Sequence, residues 1–221
     1  MSLLAQLLST IYSFFGLNVP LFNEDAILKD VLGLETVVQL IELAFYILFG
    51  FVFTNLTATT DIAIYRYADW FFTTPAMLLS TVVFMDYIRR KELPSDDPNR
   101  KELSSLYTFL ENNIQPFLTI IIANCLMLLM GYLYEAGIID IWTSTILGFV
   151  AFAVTFYTLQ KKYAHNHQIN QYLWYYMTST WGMYGIAALF PNIIKNTMYN
   201  LLDIVSKNFY SVFLTTYILY L

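Results

Sequence analysis

Charge is what this chain has least of. Asp, Glu, Lys and Arg make up 12% of its 221 residues, about half the share in an ordinary soluble domain. With 58% of the residues hydrophobic, what remains cannot cover a core that size with polar surface, so lipid is the expected solvent for most of the chain. Cysteine occurs once, at Cys125, which excludes an internal disulfide and any multi-cysteine metal site. The two histidines, His165 and His167, sit in a polar stretch that reads as a surface loop, and no metal is expected. The net charge is −5, and no nucleic-acid partner is expected. Internal repeats, low-complexity segments and domain boundaries are also missing, so residues 1–221 read as a single domain.

What the chain does have is long apolar runs. A bilayer core takes roughly 20 apolar residues per helix, and seven runs qualify: 2–20, 34–57, 62–88, 105–134, 138–160, 168–190 and 193–221. The first has neither the basic start nor the small-residue cleavage site of a secretory signal, so it counts as a helix of the bundle. LFNEDAILKDVLG, which follows, reads as a polar connection with at most an interfacial turn. KELPSDDPNRKELSS is the most polar stretch, and its prolines end one helix before the next begins. Of eleven Lys and Arg, eight fall after the first, third and fifth spans: Lys29, Arg89, Arg90, Lys91, Arg100, Lys101, Lys161 and Lys162. The positive-inside rule makes those loops cytoplasmic, with the N-terminus outside and the C-terminus inside. Asn55–Leu56–Thr57 matches a glycosylation triplet on the outer side, a pattern common by chance.

Five ionisable residues interrupt the apolar spans: Glu42 in the second, Arg66 and Asp69 in the third, Asp203 and Lys207 in the seventh. An unpaired charge at mid-helix costs roughly 2.5–3.5 kcal/mol even on the lenient insertion scale. Several together would cost about as much as a typical fold is worth, so they must face one another inside the bundle or be chemically changed. Spacing favours shared faces, since Asp203 and Lys207 are four apart, Arg66 and Asp69 three, and Asp69 and Thr73 four. Trp70 and Thr74 form a neighbouring stripe. A buried ion cluster that only fixes helix register satisfies the same spacing. A lysine among carboxylates and aromatics has a sharper use, because a buried amine can form a Schiff base with a carbonyl compound.

RYADWFFTTP in the third span, WGMYG in the sixth and DIVSK in the seventh together resemble the microbial (type 1) rhodopsins, seven-helix retinal-binding membrane proteins, over most of the chain. The resemblance implies an all-α bundle of seven transmembrane helices and no enzymatic activity. It implies that Lys207 holds all-trans retinal as a protonated Schiff base, that Asp69 and Asp203 are its counterions, with Asp69 also the proton acceptor, and that Arg66 and Thr73 support them. The pocket would comprise Trp70, Thr74, Met77, Asn124, Met127, Gly131, Gly148, Phe152, Trp181, Tyr184, Gly185 and Ser206. Trp142 is an alternative lining residue, although a place near the outer interface suits it better. The cytoplasmic donor position is Ser80, so Asp69, Thr73 and Ser80 give the Asp-Thr-Ser pattern of rhodopsins from giant viruses of marine protists. Return protons would then come from cytoplasmic water. Lys195 stands where relatives have a proton-releasing glutamate.

Outward proton transport is the function the resemblance favours. Ser9, Glu42 and Asn208 resemble the central gate of channelrhodopsins and imply the alternative, a light-gated cation channel; a helix-packing role for a neutral Glu42 competes with it. A photosensory receptor is the third class. The partners implied are lipid, protons or other small cations and further copies of the chain, in a multi-pass position in a host-cell membrane. Lys207 is the one lysine deep within a predicted span, so Lys207→Ala protein supplied with all-trans retinal should show no visible absorption band. A coloured pigment from that variant would overturn the retinal reading.

Overall fold

The computed structural model describes residues 2–53, 62–94, 97 and 105–221; the Asn55–Thr57 triplet and the basic residues Arg100 and Lys101 lie outside them. Helices α1 (Ser2–Leu17), α2 (Ile27–Phe53), α3 (Ile62–Lys91), α4 (Leu106–Glu135), α5 (Ile141–Leu159) and α6 (Gln168–Ala187) form six spans. The seventh is α7 (Asn192–Asp203), a π-helical turn (Ile204–Asn208) and α8 (Phe209–Leu219) in unbroken succession. Neighbours in sequence pack side by side, and α1 closes the ring by packing against α8. This is an all-helical seven-span bundle. Among the described residues four spans, α2 to α5, are long and apolar enough to cross a membrane on their own composition, and α1 is apolar but shorter. Helix α6 and the seventh span carry polar residues that the bundle hides, among them Asn170, Asp203 and Lys207.

The second span begins seven residues before the expected boundary, at Ile27 rather than 34. Lys29 and Asp30 made ILKDVLG look like loop. In fact Ile27, Leu28, Val31 and Leu32 recur at helical spacing and are buried, so an amphipathic first turn brings α2 into the core. Only Asn23–Asp25 of the connection forms a separate short 3-10 turn.

Burial differs sharply between spans. In the most apolar stretch of α3, 72% of residues are buried, against 22% in α4 and in α5. Helix α3 is therefore the central strut, and α4 and α5 present most of their surface to lipid. Pro116 in α4 has no N–H for the carbonyl of Asn112. The helix departs from regular geometry nearby, at Asn113 (φ −126, ψ 16), whose side chain donates to the Phe109 carbonyl at 3.0 Å. At the head of α5, Asp140 accepts from the Thr143 hydroxyl and from the Thr143 and Trp142 amides. Those bonds hold its carboxyl below the ordinary value. The stability they add is present at neutral pH and is lost as the pH falls through the folded value.

Where α1 meets α2 and α8, Gly16 permits close contact. A Cβ there would lie 2.7 Å from Leu32 Cδ2 and 2.9 Å from Thr215 Cγ2. Gly16→Ala should therefore force the helices apart and destabilise the bundle by about 1–3 kcal/mol, read as a lower melting temperature in detergent. An unchanged melting temperature would show that this contact gives way freely.

Candidate functional site

Charged residues of three spans, the second, third and seventh, converge on one point. Lys207 Nζ lies 2.9 Å from Asp69 Oδ2, 3.4 Å from Glu42 Oε1 and 3.6 Å from Asp203 Oδ1. All four residues are buried. Asp203 and Lys207 face the same way because they are four residues apart, and α3 brings Asp69 to them from across the interior. Glu42 arrives from α2 beside Lys207. Ser9 and Asn208, by contrast, bond each other at 3.0 Å, one residue along the chain from Lys207. The three residues expected to form one gate are thus divided between a hydroxyl–amide pair and the lysine cluster.

Arg66 belongs mainly to Asp203. Its Nη1 donates to Asp203 Oδ2 at 3.0 Å, its Nε to Asn196 Oδ1 at 3.3 Å, and its Nη2 to Asn200 Oδ1. Asp203 also accepts from the Tyr46 hydroxyl at 2.9 Å and from the Tyr184 hydroxyl at 2.8 Å. Asp69 is held far less. Its Oδ2 takes Lys207, while its buried Oδ1 has no hydrogen-bond donor among the described residues. Thr73 does not reach the Asp69 carboxylate either; its hydroxyl donates to the Asp69 backbone carbonyl at 3.0 Å, as threonines in helices commonly do. The two aspartates are therefore unequal. Protonating Asp203 would disturb Arg66 and two tyrosine hydroxyls, whereas protonating Asp69 disturbs one contact.

An aromatic-walled cavity opens beside Lys207. Trp70, Thr74, Met77, Met127, Gly131, Gly148, Phe152, Trp181, Tyr184, Gly185 and Ser206 line it, together with Lys207. Asn124 stands behind that wall and donates to the Thr74 hydroxyl at 2.8 Å, which in turn donates to the Trp70 carbonyl at 2.8 Å. Trp142 is exposed and lies away from the cavity. Tyr67, Leu128, Ser144, Thr145, Phe149, Ala188 and Tyr199 also line it, and sequence spacing missed them. Tyr199 was findable, since it stands four residues before Asp203 on the same helix face. Two glycines are needed here. A Cβ on Gly185 would come within 2.7 Å of the Phe149 ring, and one on Gly131 would run into the Tyr67 hydroxyl. The aromatic and apolar lining with Lys207 in it suits a flat, apolar molecule joined to the lysine, as retinal is.

At the donor position Ser80 is buried, and its hydroxyl bonds the Glu35 carboxyl of α2 and the Met77 carbonyl, the latter at 2.8 Å. Glu35 itself is fully buried, and the hydroxyls of Thr81 and Tyr210 are buried beside the pair. Sequence reading missed Glu35 because it sat next to the misplaced start of α2. A second buried lysine also appears: Lys195, which bonds Glu135 at 2.6 Å and ties the start of α7 to the end of α4.

Seven spans around a buried lysine, an anionic cluster and an aromatic slot define a membrane chromoprotein whose pigment is held by an amine. Residues 2–221 match the family described as bacteriorhodopsin-like protein, and the chain belongs to that family, the microbial rhodopsins. Its members bind retinal through a lysine Schiff base, are driven by light, and are multi-pass membrane transporters or sensors rather than enzymes. Among solved structures, the viral rhodopsin OLPVRII aligns with a TM-score of 0.82 at 25% identity, over 98% of this chain and 93% of that one. Blue light-absorbing proteorhodopsin from Med12 aligns with a TM-score of 0.70 at 20% identity, over 99% and 94%, a likeness of fold. No curated protein matches the chain.

The inequality of the two aspartates gives a direct test. Asp69→Asn removes the carboxylate nearest Lys207 Nζ, so the retinal-loaded protein should absorb further to the red than wild type, as absorption spectra will show. An unshifted or blue-shifted band would assign the main counterion to Asp203 or Glu42.

Proposed function

We propose that the protein moves protons outward across its membrane in light, and that within the family it stands with the Asp-Thr-Ser rhodopsins of giant viruses. The observation that carries the reading is the placement of proton-handling groups on both sides of Lys207. On one side Asp69 Oδ2 is 2.9 Å from Nζ, with a second oxygen free to receive a proton. On the other, Glu35 and Ser80 form a buried acid–alcohol pair. Glu35 precedes Glu42 by two turns, about 10 Å along α2, towards the end of the bundle that carries the basic residues.

Bound retinal supplies light absorption and a change of shape at Lys207. The chain's own groups then determine where a proton goes. Asp69 is the acceptor, because taking a proton there breaks one contact, whereas Asp203 stays ionised against Arg66, Tyr46 and Tyr184. Arg66 lies beyond that pair, anchored by Asn196 and Asn200, so the exit is lined by neutral amides. Lys195 is engaged with Glu135 and does not stand free at the mouth. Return of a proton to the Lys207 nitrogen proceeds from Glu35 through the Ser80 hydroxyl. This replaces the expectation that cytoplasmic water supplies it directly. The homologous carboxyl function is provided from α2, while α3 provides only the alcohol.

A second reading has one observation of its own. Ser9 bonds Asn208, and Glu42 contacts Lys207, so displacement of Lys207 would disturb both groups and open a polar path between α1, α2 and the seventh span for cations. Two measurements decide. Under voltage clamp, a proton pump gives a light-evoked current of one sign at all accessible voltages; a current that reverses at the cation equilibrium potential would establish the channel. Glu35→Gln should leave the initial light reaction and dark colour intact while slowing return of the proton by about 10²-fold or more, the usual scale for loss of a proton-transfer group. A return rate unaffected by that change would remove Glu35 from the pathway.

A further inference from the structure

The turn that carries Lys207 is wound differently from the helices on either side. In Ile204–Asn208 the backbone is π-helical, and the Phe209 amide donates to the Ile204 carbonyl, five residues back. In an α-helix that amide would serve Val205. The insertion therefore takes the Phe209 amide away from the Val205 carbonyl at mid-membrane, where an unpaired backbone group is costly. The structure supplies a substitute. The Tyr176 hydroxyl, on the neighbouring helix α6, donates to the Val205 oxygen.

We propose that Tyr176 is a positioning residue for Lys207: its hydroxyl holds the carbonyl released by the π turn and so ties the lysine-bearing turn to α6. Two registers compete for that carbonyl. With Tyr176 bound, the turn keeps its extra residue and Lys207 Nζ sits among Asp69, Glu42 and Asp203. If Phe209 retakes the carbonyl, the turn relaxes towards α geometry, and everything before it rotates relative to everything after it. Each residue of helix turns the chain by about 100°, so even a partial change of register re-aims Lys207. Strain applied at Lys207 passes through the Val205 carbonyl into α6 by the same bond. α6 also contributes Trp181, Tyr184 and Gly185 to the cavity wall, so the helix that feels the pull is one that shapes the pocket. π turns occur mostly at functional sites, and this one has its leftover carbonyl held from outside its own helix.

The inference rests on the retinal-binding family and not on which ion moves, so it survives failure of the proton-transport reading. The test uses the full-length, retinal-loaded protein. Tyr176→Phe removes one oxygen and should still give pigment. Recovery of the dark state after a flash should change by about fivefold, the scale of one hydrogen bond, and the amide I bands of the light-minus-dark infrared spectrum should change with it. Replacing Tyr176 alone by 3-fluorotyrosine keeps the hydroxyl and makes it a stronger donor. Recovery should then move in the opposite direction, with thermal stability unchanged, which a residue that merely fills space would not produce. If Tyr176→Phe fails to hold retinal, the fluorotyrosine arm decides alone. Recovery kinetics and amide bands indifferent to the fluorine, or shifted in the same direction by both changes, would overturn the proposal.

Discussion

Everything in this bundle answers to one buried positive charge. Lys207 carries it at the centre of a seven-span protein, in a medium where an isolated ion is intolerable, and the surrounding helices are arranged to meet it. α3 brings Asp69, α2 brings Glu42, and the seventh span brings Asp203 one turn away. With Arg66, two cations face three carboxyl groups, and full ionisation would leave an excess negative charge in lipid. These groups titrate as a unit. That mutual dependence makes the cluster responsive: moving one charge alters the terms for all the others. In α3 the charged half still turns Tyr65, Phe71 and Phe72 outward, and the heaviest burial lies beyond it, at Met77, Leu78 and 82–85.

Much of this arrangement was legible in the sequence because charge inside an apolar run needs a partner. Arg66, Asp69, Asp203 and Lys207 declared themselves that way, and their helical spacing put them on interior faces. The resemblance in RYADWFFTTP, WGMYG and DIVSK supplied the pocket residues, and all but Asn124 line the cavity directly. What stayed hidden was pairing between helices. Ser80 read alone is an alcohol where an acid was expected; only the fold shows that Glu35 reaches it from α2. Linear spacing describes one helix at a time and cannot show a bond across two. The start of α2 was hidden for a different reason, because Lys29 and Asp30 point outward from a helix whose apolar residues point in. Tyr176 carried no signal at all, since its partner is a backbone carbonyl.

In the proposed return path, dividing the donor function between helices alters its physics. A carboxyl and a hydroxyl on neighbouring turns of one helix keep their separation whatever the helix does. Glu35 and Ser80 are carried by α2 and α3, so any sliding or tilt between those helices changes the path between them. A proton step built this way is sensitive to the relative motion of two struts. Along the opposite seam, Tyr176 links α6 to the π turn. Lys207 is thereby held at both ends, its amine by charge and its backbone turn by the bond from Tyr176 to the Val205 carbonyl.

The seam between α1 and the seventh span has a consequence for how the protein is made. Ser9 meets Asn208 at 3.0 Å, Ser13 meets Ser211 at 2.7 Å, and Tyr12 meets Thr216 at 3.2 Å. The first helix is synthesised long before the last, so during biogenesis its serines enter the bilayer with no partner yet in existence. They carry a provisional one within their own helix: Ser9 also donates to the Gln6 carbonyl, and Ser13 to the Ser9 carbonyl. Each hydroxyl can therefore wait, satisfied within its own helix, for the seventh span. When the seventh span arrives, the ladder of polar contacts admits one alignment, because a slip of one residue would set hydroxyls against lipid. The first and seventh spans are thus joined by a seam whose polar contacts set their alignment.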